Sequence, residues 1–122
     1  MTIYHTGKLR RDVELPMTDA ERKARVELAA CYRIFDMLGW DQLIFNHITA
    51  RVPGPEVRFL INPFGLHYRE VTASNLVLID LEGNTLRETR WPINEAGYLI
   101  HSAIHGDNCY ASACGESVSL LG

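Results

Sequence analysis

The sequence predicts an α/β fold in which helices pack on a largely antiparallel sheet. Three observations predict it: a helical pattern in residues 18–38, several short segments with apolar residues at every second position, and a second helical pattern near residue 100. Tight turns join most of the strand segments, which favours antiparallel neighbours. The 122 residues are enough for one domain that buries roughly two thirds of its unfolded surface.

Composition places the chain among ordinary globular proteins. Hydrophobic residues make up 47% and charged residues 22%, and the net charge is −3. The chain has no excess of basic residues that would indicate a nucleic-acid partner. It also has no run that approaches the ~18 apolar residues of a membrane span. The N-terminal residues lack the apolar core of a secretory signal. We therefore expect a cytoplasmic protein with no nucleic-acid or membrane partner, whose three cysteines are thiols.

The first predicted helix begins after Thr18, and the polar, irregular residues 1–17 predict a flexible N-terminal arm. The residues TDAE at 18–21 form a capping box, in which the Thr18 hydroxyl accepts from the amide of Glu21 and the Glu21 carboxylate reaches back. Gly39 is typical of the residue that follows a helix. The helical spacing predicts one broad apolar face, made of Val26, Ala29, Ala30, Ile34, Met37 and Leu38.

The middle of the chain predicts strands joined by turns. In FNHITARV, residues 45–52, Asn46 shares one face with the apolar residues 48, 50 and 52, and His47 lies on the other. Residues 57–62 predict its hairpin partner, NPFG at 62–65 a turn, and residues 66–68 a short strand. Residues 77–88 predict another hairpin, with its turn at residues 83–84. His47 and His67 are expected to be exposed or at an interface.

The second helix is predicted to begin after Asn94, a good N-cap. Its apolar stripe consists of Ala96, Leu99, Ile100, Ala103 and Ile104. At 100° per residue, His101 and His105 lie nearly opposite this stripe, so we expect them to face solvent, a partner or a cleft. Their spacing suits a metal-binding helix, but a site needs further ligands and none is obvious nearby. We therefore favour a surface or interface pair in which His101 makes a structural hydrogen bond, and predict no metal site.

Four ordered blocks resemble the class II aldolase/adducin N-terminal domain family: FNHITARVPG, FLINPFGL, EVTASNLVLIDLEGN and PINEAGYLIHSAIH. The resemblance covers residues 24–105, and bacterial adducin-like members are the most similar. It implies a three-layer α/β/α domain with a central, mostly antiparallel sheet, and a homo-oligomer that is commonly a tetramer. We assign residues 18–105 to this domain and residues 106–122 to a divergent tail, and expect the domain to be incomplete or divergent after residue 105.

The resemblance also implies a chemistry. Enzymatic members bind zinc or another divalent metal through three histidines and make or break a carbon–carbon bond next to a hydroxyl, while a glutamate moves the proton. The positions that help to bind the substrate's phosphate in this family match Asn46 and Gly65. From the residues alone, a buried Asn46 could equally bridge a turn, and Gly65 could serve only to adopt a positive φ.

The chain departs from the enzymes at the catalytic positions. The residue four before His101 is Gly97, where the enzymes carry their proton-transferring glutamate, and Glu95 lies two residues earlier. Glu95 remains the candidate acid or base, although a first-turn glutamate that favours the helix dipole is the preferred interpretation. No histidine follows His105. The zinc ligands of the family, a His-X-His segment, are thus missing, and we expect this chain to bind no metal.

Two functions are compatible with this pattern. In the first, the parent protein is a metal-dependent carbon–carbon lyase that acts on a small hydroxylated carbonyl compound such as a sugar phosphate, and the 122-residue chain alone is inactive. In the second, the chain is a non-catalytic, adducin-like binding and assembly domain. Gly97 and the missing His-X-His segment favour the second function. Neither fold nor family fixes the substrate.

Overall fold

Antiparallel strands and two helices make up the fold. The computed structural model describes residues 4–5, 7–10, 16–40, 47–107 and 118–121. The elements are β1 (Tyr4–His5), α1 (Asp19–Met37), β2 (His47–Arg51), β3 (Arg58–Ile61), a 3₁₀ turn (Tyr68–Glu70), β4 (Val77–Asp80), β5 (Ile93–Asn94), α2 (Glu95–Asp107) and β6 (Val118–Leu121). The order β4-β3-β2-β6 forms one sheet, and β1 and β5 form another. Every pair of these strands is antiparallel, which confirms the predicted sheet type.

The larger sheet has a separate apolar core on each face. Successive side chains along a strand point to opposite faces, so Leu60 of β3 and Leu78 of β4 belong to the core under α1. Their neighbours Phe59 and Ile79 belong to the second core, against which Tyr98 of α2 packs. The layers therefore follow the order α1, sheet, α2, which confirms the predicted α/β/α architecture.

Both ends of α1 follow the predicted local signals. The Thr18 hydroxyl accepts from the Glu21 amide at 3.1 Å. After the helix, Gly39 has φ +70°, and its amide donates to the Asp36 carbonyl while that of Trp40 donates to the Phe35 carbonyl, as in a Schellman motif. The second half of the predicted capping box is wrong, however. The Glu21 carboxylate is fully buried and binds two arginines instead of its own cap.

The predicted apolar face of α1 is wrong in phase for most of its residues, although Ala29 packs half-buried against the core. Val26, Ile34 and Met37 are 57%, 54% and 84% exposed. The residues that face the sheet are Ala24, Leu28 and Tyr32, with the polar Glu21 and Arg25 beside them. Polar side chains can occupy the inner face because they find partners there, which an apolar pattern does not reveal.

The segment predicted to be an irregular N-terminal arm is partly ordered. Tyr4–His5 pairs with β5, and the Arg10 amide donates to the Thr85 carbonyl at 2.9 Å. These backbone bonds attach the described part of this segment to the domain. The predicted hairpin around Gly83 is confirmed by an antiparallel bridge between Ile79 and Thr85, whereas the strand predicted at residues 66–68 is replaced by the 3₁₀ turn.

Two further features concern the described ranges only. No helix within them is long and apolar enough to cross a membrane. Cys31 is a free thiol that packs half-buried against the core under α1. Cys109 and Cys114, which are also expected to be thiols, lie outside the described residues.

Candidate functional site

The elements that carry the predicted site residues meet at one corner of the sheet. We call it the β3–α2 corner: the turn of residues 62–65 after β3, the start of α2 at residues 94–97, and His47 at the start of β2. Antiparallel pairing places the start of β2 beside the end of β3. The Phe64 amide donates to the Pro92 carbonyl at 2.8 Å, which holds the turn against the segment that leads into α2.

Gly65 occupies the exposed tip of this turn. Its φ is +94°, a conformation that residues with a Cβ rarely adopt, and a Cβ at this position would meet nothing within 4 Å. Glycine is therefore favoured at this position because of its backbone conformation, and not because a side chain would lack space. This geometry confirms the positive φ suggested by the sequence. It also leaves the backbone of the turn open to solvent, beside the first turn of a helix.

The start of α2 is organised by Asn94, whose side-chain oxygen accepts from the Gly97 amide at 3.1 Å. This confirms the predicted N-cap. Glu95 is half-buried in the first helical turn, where a negative charge interacts favourably with the helix dipole. Asn46 lies outside the described residues, and its chain neighbour His47 lies at the corner. Of the predicted site residues, the structure thus brings Gly65 and Glu95 to the same corner.

Gly97 lies at the closest approach of α2 to the sheet. A Cβ built on this buried glycine would lie 3.1 Å from Ile61 Cδ1 and 3.2 Å from His47 Cγ. Both distances are shorter than ordinary van der Waals contact. The imidazole of His47 and the end of Ile61 thus fill the space that a side chain at position 97 would need.

His101 is fully buried, so the prediction that it faces solvent, a partner or a cleft is wrong. Its Nδ1 lies 2.6 Å from the Thr49 hydroxyl in a hydrogen bond, and its ring contacts that of His47, with centroids 4.6 Å apart. His47 is only 6% exposed, which also corrects its predicted exposure. Leu99 and Ile100 of the predicted inner stripe are instead 52% and 46% exposed. The side chain of His105 is not among those described.

Sequence reasoning missed this polar contact between helix and sheet, although a signal was present. The alternation in β2 placed His47, Thr49 and Arg51 on one strand face, and all three are buried. A strand face that is polar and buried needs polar partners from the next layer. The polar side of α2 supplies them through His101.

The described residues do not fit the zinc site that the resemblance implies. Among the described residues, no group of three or more His, Cys, Asp and Glu side chains is placed to hold a metal ion. His101 and His47 form a pair, and Nδ1 of His101 is occupied by the Thr49 hydroxyl.

A second polar cluster lies on the other side of the sheet and was not predicted. Glu21 Oε1 lies 3.0 Å from Nε of both Arg25 and Arg87; we call these three residues the Glu21 cluster. Burial alone would raise the pKa of the Glu21 carboxyl, but hydrogen bonds from Arg87 and Arg25 outweigh it and hold that pKa below its ordinary value. The capping-box pattern concealed this cluster because it assigned Glu21 a different partner.

Comparison with known proteins gives matches to both aldolase-named and adducin-named proteins. The model of the class II aldolase and adducin N-terminal domain matches residues 26–114. A Caulobacter vibrioides protein named "Putative aldolase class 2 protein" is 56% identical over 89 residues, which is 73% of this chain and 35% of that protein. Rat alpha-adducin is 46% identical over 80% of this chain and 14% of its own length. The chain thus spans about a third of the Caulobacter relative.

Solved structures show the same fold. An aldolase II superfamily protein from Pseudomonas syringae superposes with a TM-score of 0.70 at 48% identity, over 74% of this chain and 36% of that one. L-fuculose 1-phosphate aldolase from Glaciozyma antarctica superposes with a TM-score of 0.65 at 34% identity, over 76% and 40%. Since the family model covers more than half of the residues, the chain belongs to the class II aldolase and adducin N-terminal domain family.

Proposed function

We propose that the parent protein is a class II aldolase-like carbon–carbon lyase, and that this chain supplies the part of its site that binds the anionic end of the substrate. The substrate class is a small hydroxylated carbonyl compound that carries a phosphate. The hydrogen bond between the Phe64 amide and the Pro92 carbonyl carries the proposal, because it holds the Gly65 turn beside the start of α2. The similarity to L-fuculose 1-phosphate aldolase supports a phosphorylated substrate.

The chemistry of the corner suits an anion. The first amides of a helix point out of its N-terminus and carry a partial positive charge, and exposed backbone amides in a tight turn add to it. Asn46 is proposed to supply an amide side chain next to His47. Glu95 is proposed to stabilise the helix through its position in the first turn, and not to transfer the proton. Zinc or another divalent metal would be held by residues of the parent beyond those described.

Ligand binding tests this function directly. We would titrate the purified chain with dihydroxyacetone phosphate and follow backbone amide signals by NMR. We expect saturable shifts at residues 64–66 and 95–97. The Gly65→Ala variant should bind about tenfold more weakly, because a Cβ at φ +94° forces the turn to change conformation.

The chain offers a matched control for that variant. Gly39 also has a positive φ, +70°, and a Cβ there would likewise meet nothing within 4 Å, but it lies at the end of α1. Gly39→Ala should lose a comparable amount of stability and bind the phosphate ester normally. Equal weakening by both variants, or no saturable shift in the original chain, would refute the proposal.

A second candidate function is an adducin-like assembly domain, which the exposed helix faces favour. Val26, Ile34 and Met37 on α1 and Leu99 and Ile100 on α2 expose apolar side chains that a partner could cover. We propose a homo-oligomer, a tetramer by analogy with the family. Sedimentation velocity should then show a defined oligomer that Ile34→Glu or Leu99→Lys dissociates, while a monomer at all concentrations would refute assembly by this chain. Stoichiometric zinc in elemental analysis would favour the lyase.

A further inference from the structure

We propose that two copies of this chain pair through the C-terminal half of α1, as antiparallel helices related by a two-fold axis. The contact rests on the assembly function, the second candidate above, and adds to it a surface and a geometry. The surface consists of Ile34, Met37, Leu38 and Trp40, each more than half exposed; we call it the α1 patch. Residues three and four positions apart on a helix are neighbours, so the first three of these side chains form one continuous apolar surface.

The α1 patch is large enough to supply most of one side of a dimer interface. Its side chains together expose roughly 500 Å² of apolar surface on each chain, whereas a stable interface buries about 800 Å² on each partner. Ala30 and the alkyl chain of Arg33, both exposed on the same side of α1, extend the surface towards that value. On α2, by comparison, Leu99 and Ile100 are the two large apolar side chains that are exposed among the described residues.

The end of α1 holds the α1 patch in one conformation. The Trp40 amide donates to the Phe35 carbonyl at 2.9 Å, and the two rings lie in contact with their centroids 5.4 Å apart. Phe35 in turn packs against the core under α1. A surface that is already ordered loses little conformational entropy when a partner binds to it, which favours association through this end of the helix.

The charges beside the α1 patch favour a second copy of the chain as its partner. Arg33 and Asp36 carry opposite charges and lie about 60° apart around the helix axis, on the same side of the patch. Within the part of the chain that the structure describes, neither forms an ion pair. An anionic membrane would require a basic border around the patch, and so would a nucleic acid. A border that carries one charge of each sign is instead complementary to itself.

One two-fold axis satisfies the apolar and the charged groups together. When the axis passes between residues 34 and 35 of both helices, Arg33 of each copy lies opposite Asp36 of the other. The dimer then has two ion pairs at its border. The two Ile34 side chains meet beside the axis, and Met37 of each copy packs on the small Ala30 of the other. This is an isologous interface, in which the same surface is used on both copies.

Charge reversal tests this geometry. We would measure the dissociation constant of the dimer by sedimentation velocity of the purified chain, and expect a value in the micromolar range. Arg33→Asp and Asp36→Arg should each weaken dimerisation about tenfold, because each places like charges opposite each other at both ends of the contact. The double variant restores opposite charges and should return the dissociation constant to within about threefold of the original. Lys23→Glu, a reversal on the same helix outside the contact, should leave it unchanged.

Two apolar positions separate this contact from the assembly function in general. Ile34→Glu should dissociate the α1 contact, whereas Leu99→Lys on α2 should leave at least a dimer. A monomer at all concentrations would refute the assembly function and this contact together. An oligomer that Ile34→Glu leaves intact, or a double reversal that binds as weakly as the single ones, would overturn the α1 contact alone. Asp36→Arg places a positive charge in the last turn of α1, where it stabilises the helix, so weaker dimerisation of this variant does not result from unfolding.

Discussion

Among single residues, Tyr32 links α1 to the sheet through its hydroxyl group. Its hydroxyl donates to the Ile48 carbonyl and accepts from the Ile48 amide. Burial raises the pKa of Tyr32 well above its ordinary value, so the hydroxyl stays protonated at all ordinary pH values. Tyr32→Phe removes these two bonds and the interaction of the hydroxyl with the Asn62 backbone, and keeps the ring. We expect the free energy of unfolding to fall by about 1–3 kcal/mol, measured by urea denaturation, and an unchanged midpoint would contradict this.

Gly97 allows a second test of close packing. Gly97→Ala should gain helix propensity of about 1 kcal/mol, but its Cβ would press on Ile61 Cδ1 at 3.1 Å, which costs about 1–3 kcal/mol. We expect a small net loss of stability. In an Ile61→Val background, which lacks Cδ1, the same substitution should cost less stability, although His47 Cδ2 and Cγ would still lie 3.2 Å from the new Cβ. Urea denaturation of the four proteins measures the coupling, and an identical effect in both backgrounds would rule out the contact.

The residues that the sequence located correctly are those whose role is local. Thr18, Gly39 and Asn94 were predicted to bound the helices, and each forms its cap with groups three to five residues away or adopts the required φ. His47 and His101 were misplaced because their burial depends on each other across two layers, 54 positions apart. No local pattern contains that information. Gly97 was recognised as unusual, but its contact with Ile61 required the fold.

At the scale of elements, the positions of the helices and main strands were predictable and the faces of the helices were not. Apolar periodicity marked one side of each helix as the inner side. In α1 the inner side instead carries Glu21, Arg25 and Tyr32, and in α2 it carries Gly97 and His101. Each of these polar groups is matched by a partner from another element, so burial costs little. The apolar side chains that remain exposed to solvent are Val26, Ile34 and Met37 on α1 and Leu99 and Ile100 on α2.

The Glu21 cluster makes the attachment of α1 dependent on pH. Glu21 has a folded-state pKa below its unfolded value of about 4.5. A depressed carboxyl pKa contributes stability that is complete above the unfolded value and is lost as pH falls through the folded value. We expect the chain to lose stability steeply below about pH 4.5, as measured by urea denaturation between pH 7 and pH 3.

Glu21→Gln serves as the reference for that titration. It leaves the buried Arg25 and the partly exposed Arg87 without their carboxylate, so at pH 7 it should cost about 3–5 kcal/mol. The difference in stability between the two proteins should shrink as the pH falls below about 4.5, because protonation removes the charge of Glu21 in the original chain. A difference that stays constant over this range would show that Glu21 does not contribute to the acid sensitivity.

On the scale of the whole molecule, the three-layer order followed from the family resemblance, and the structure shows why it is stable. β3 and β4 contribute alternate residues to the two cores, so neither core exists without the shared strands. The site could be predicted only in part for a related reason. Gly65 and Glu95 were chosen as separate positions, and only the packing of β3 against the start of α2 brings them to one corner.

Shared strands also predict that both layers unfold together. Leu78 faces the core under α1 and Ile79 faces the core under α2, and each is almost fully buried. Leu78→Ala and Ile79→Ala should each cost about 2–5 kcal/mol. Trp40, which contacts Phe35 at the end of α1, reports on the first layer, and Trp91, which packs on the second core, reports on the other. In a Trp91→Phe chain, the tryptophan fluorescence comes from Trp40 and reports on the first layer. In a Trp40→Phe chain, it comes from Trp91 and reports on the second layer.

In both single-tryptophan chains, each alanine substitution should shift the urea midpoint by the same amount, since a two-state domain has one transition for all probes. The result would contradict the shared-strand argument if Leu78→Ala moved only the Trp40 signal, or Ile79→Ala only the Trp91 signal. Layers that came apart in this way would each need their own stabilising contacts. Among the described residues, β3 and β4 contribute alternate side chains to the two cores, so losing either strand exposes both cores to water. One layer therefore cannot unfold while the other stays folded.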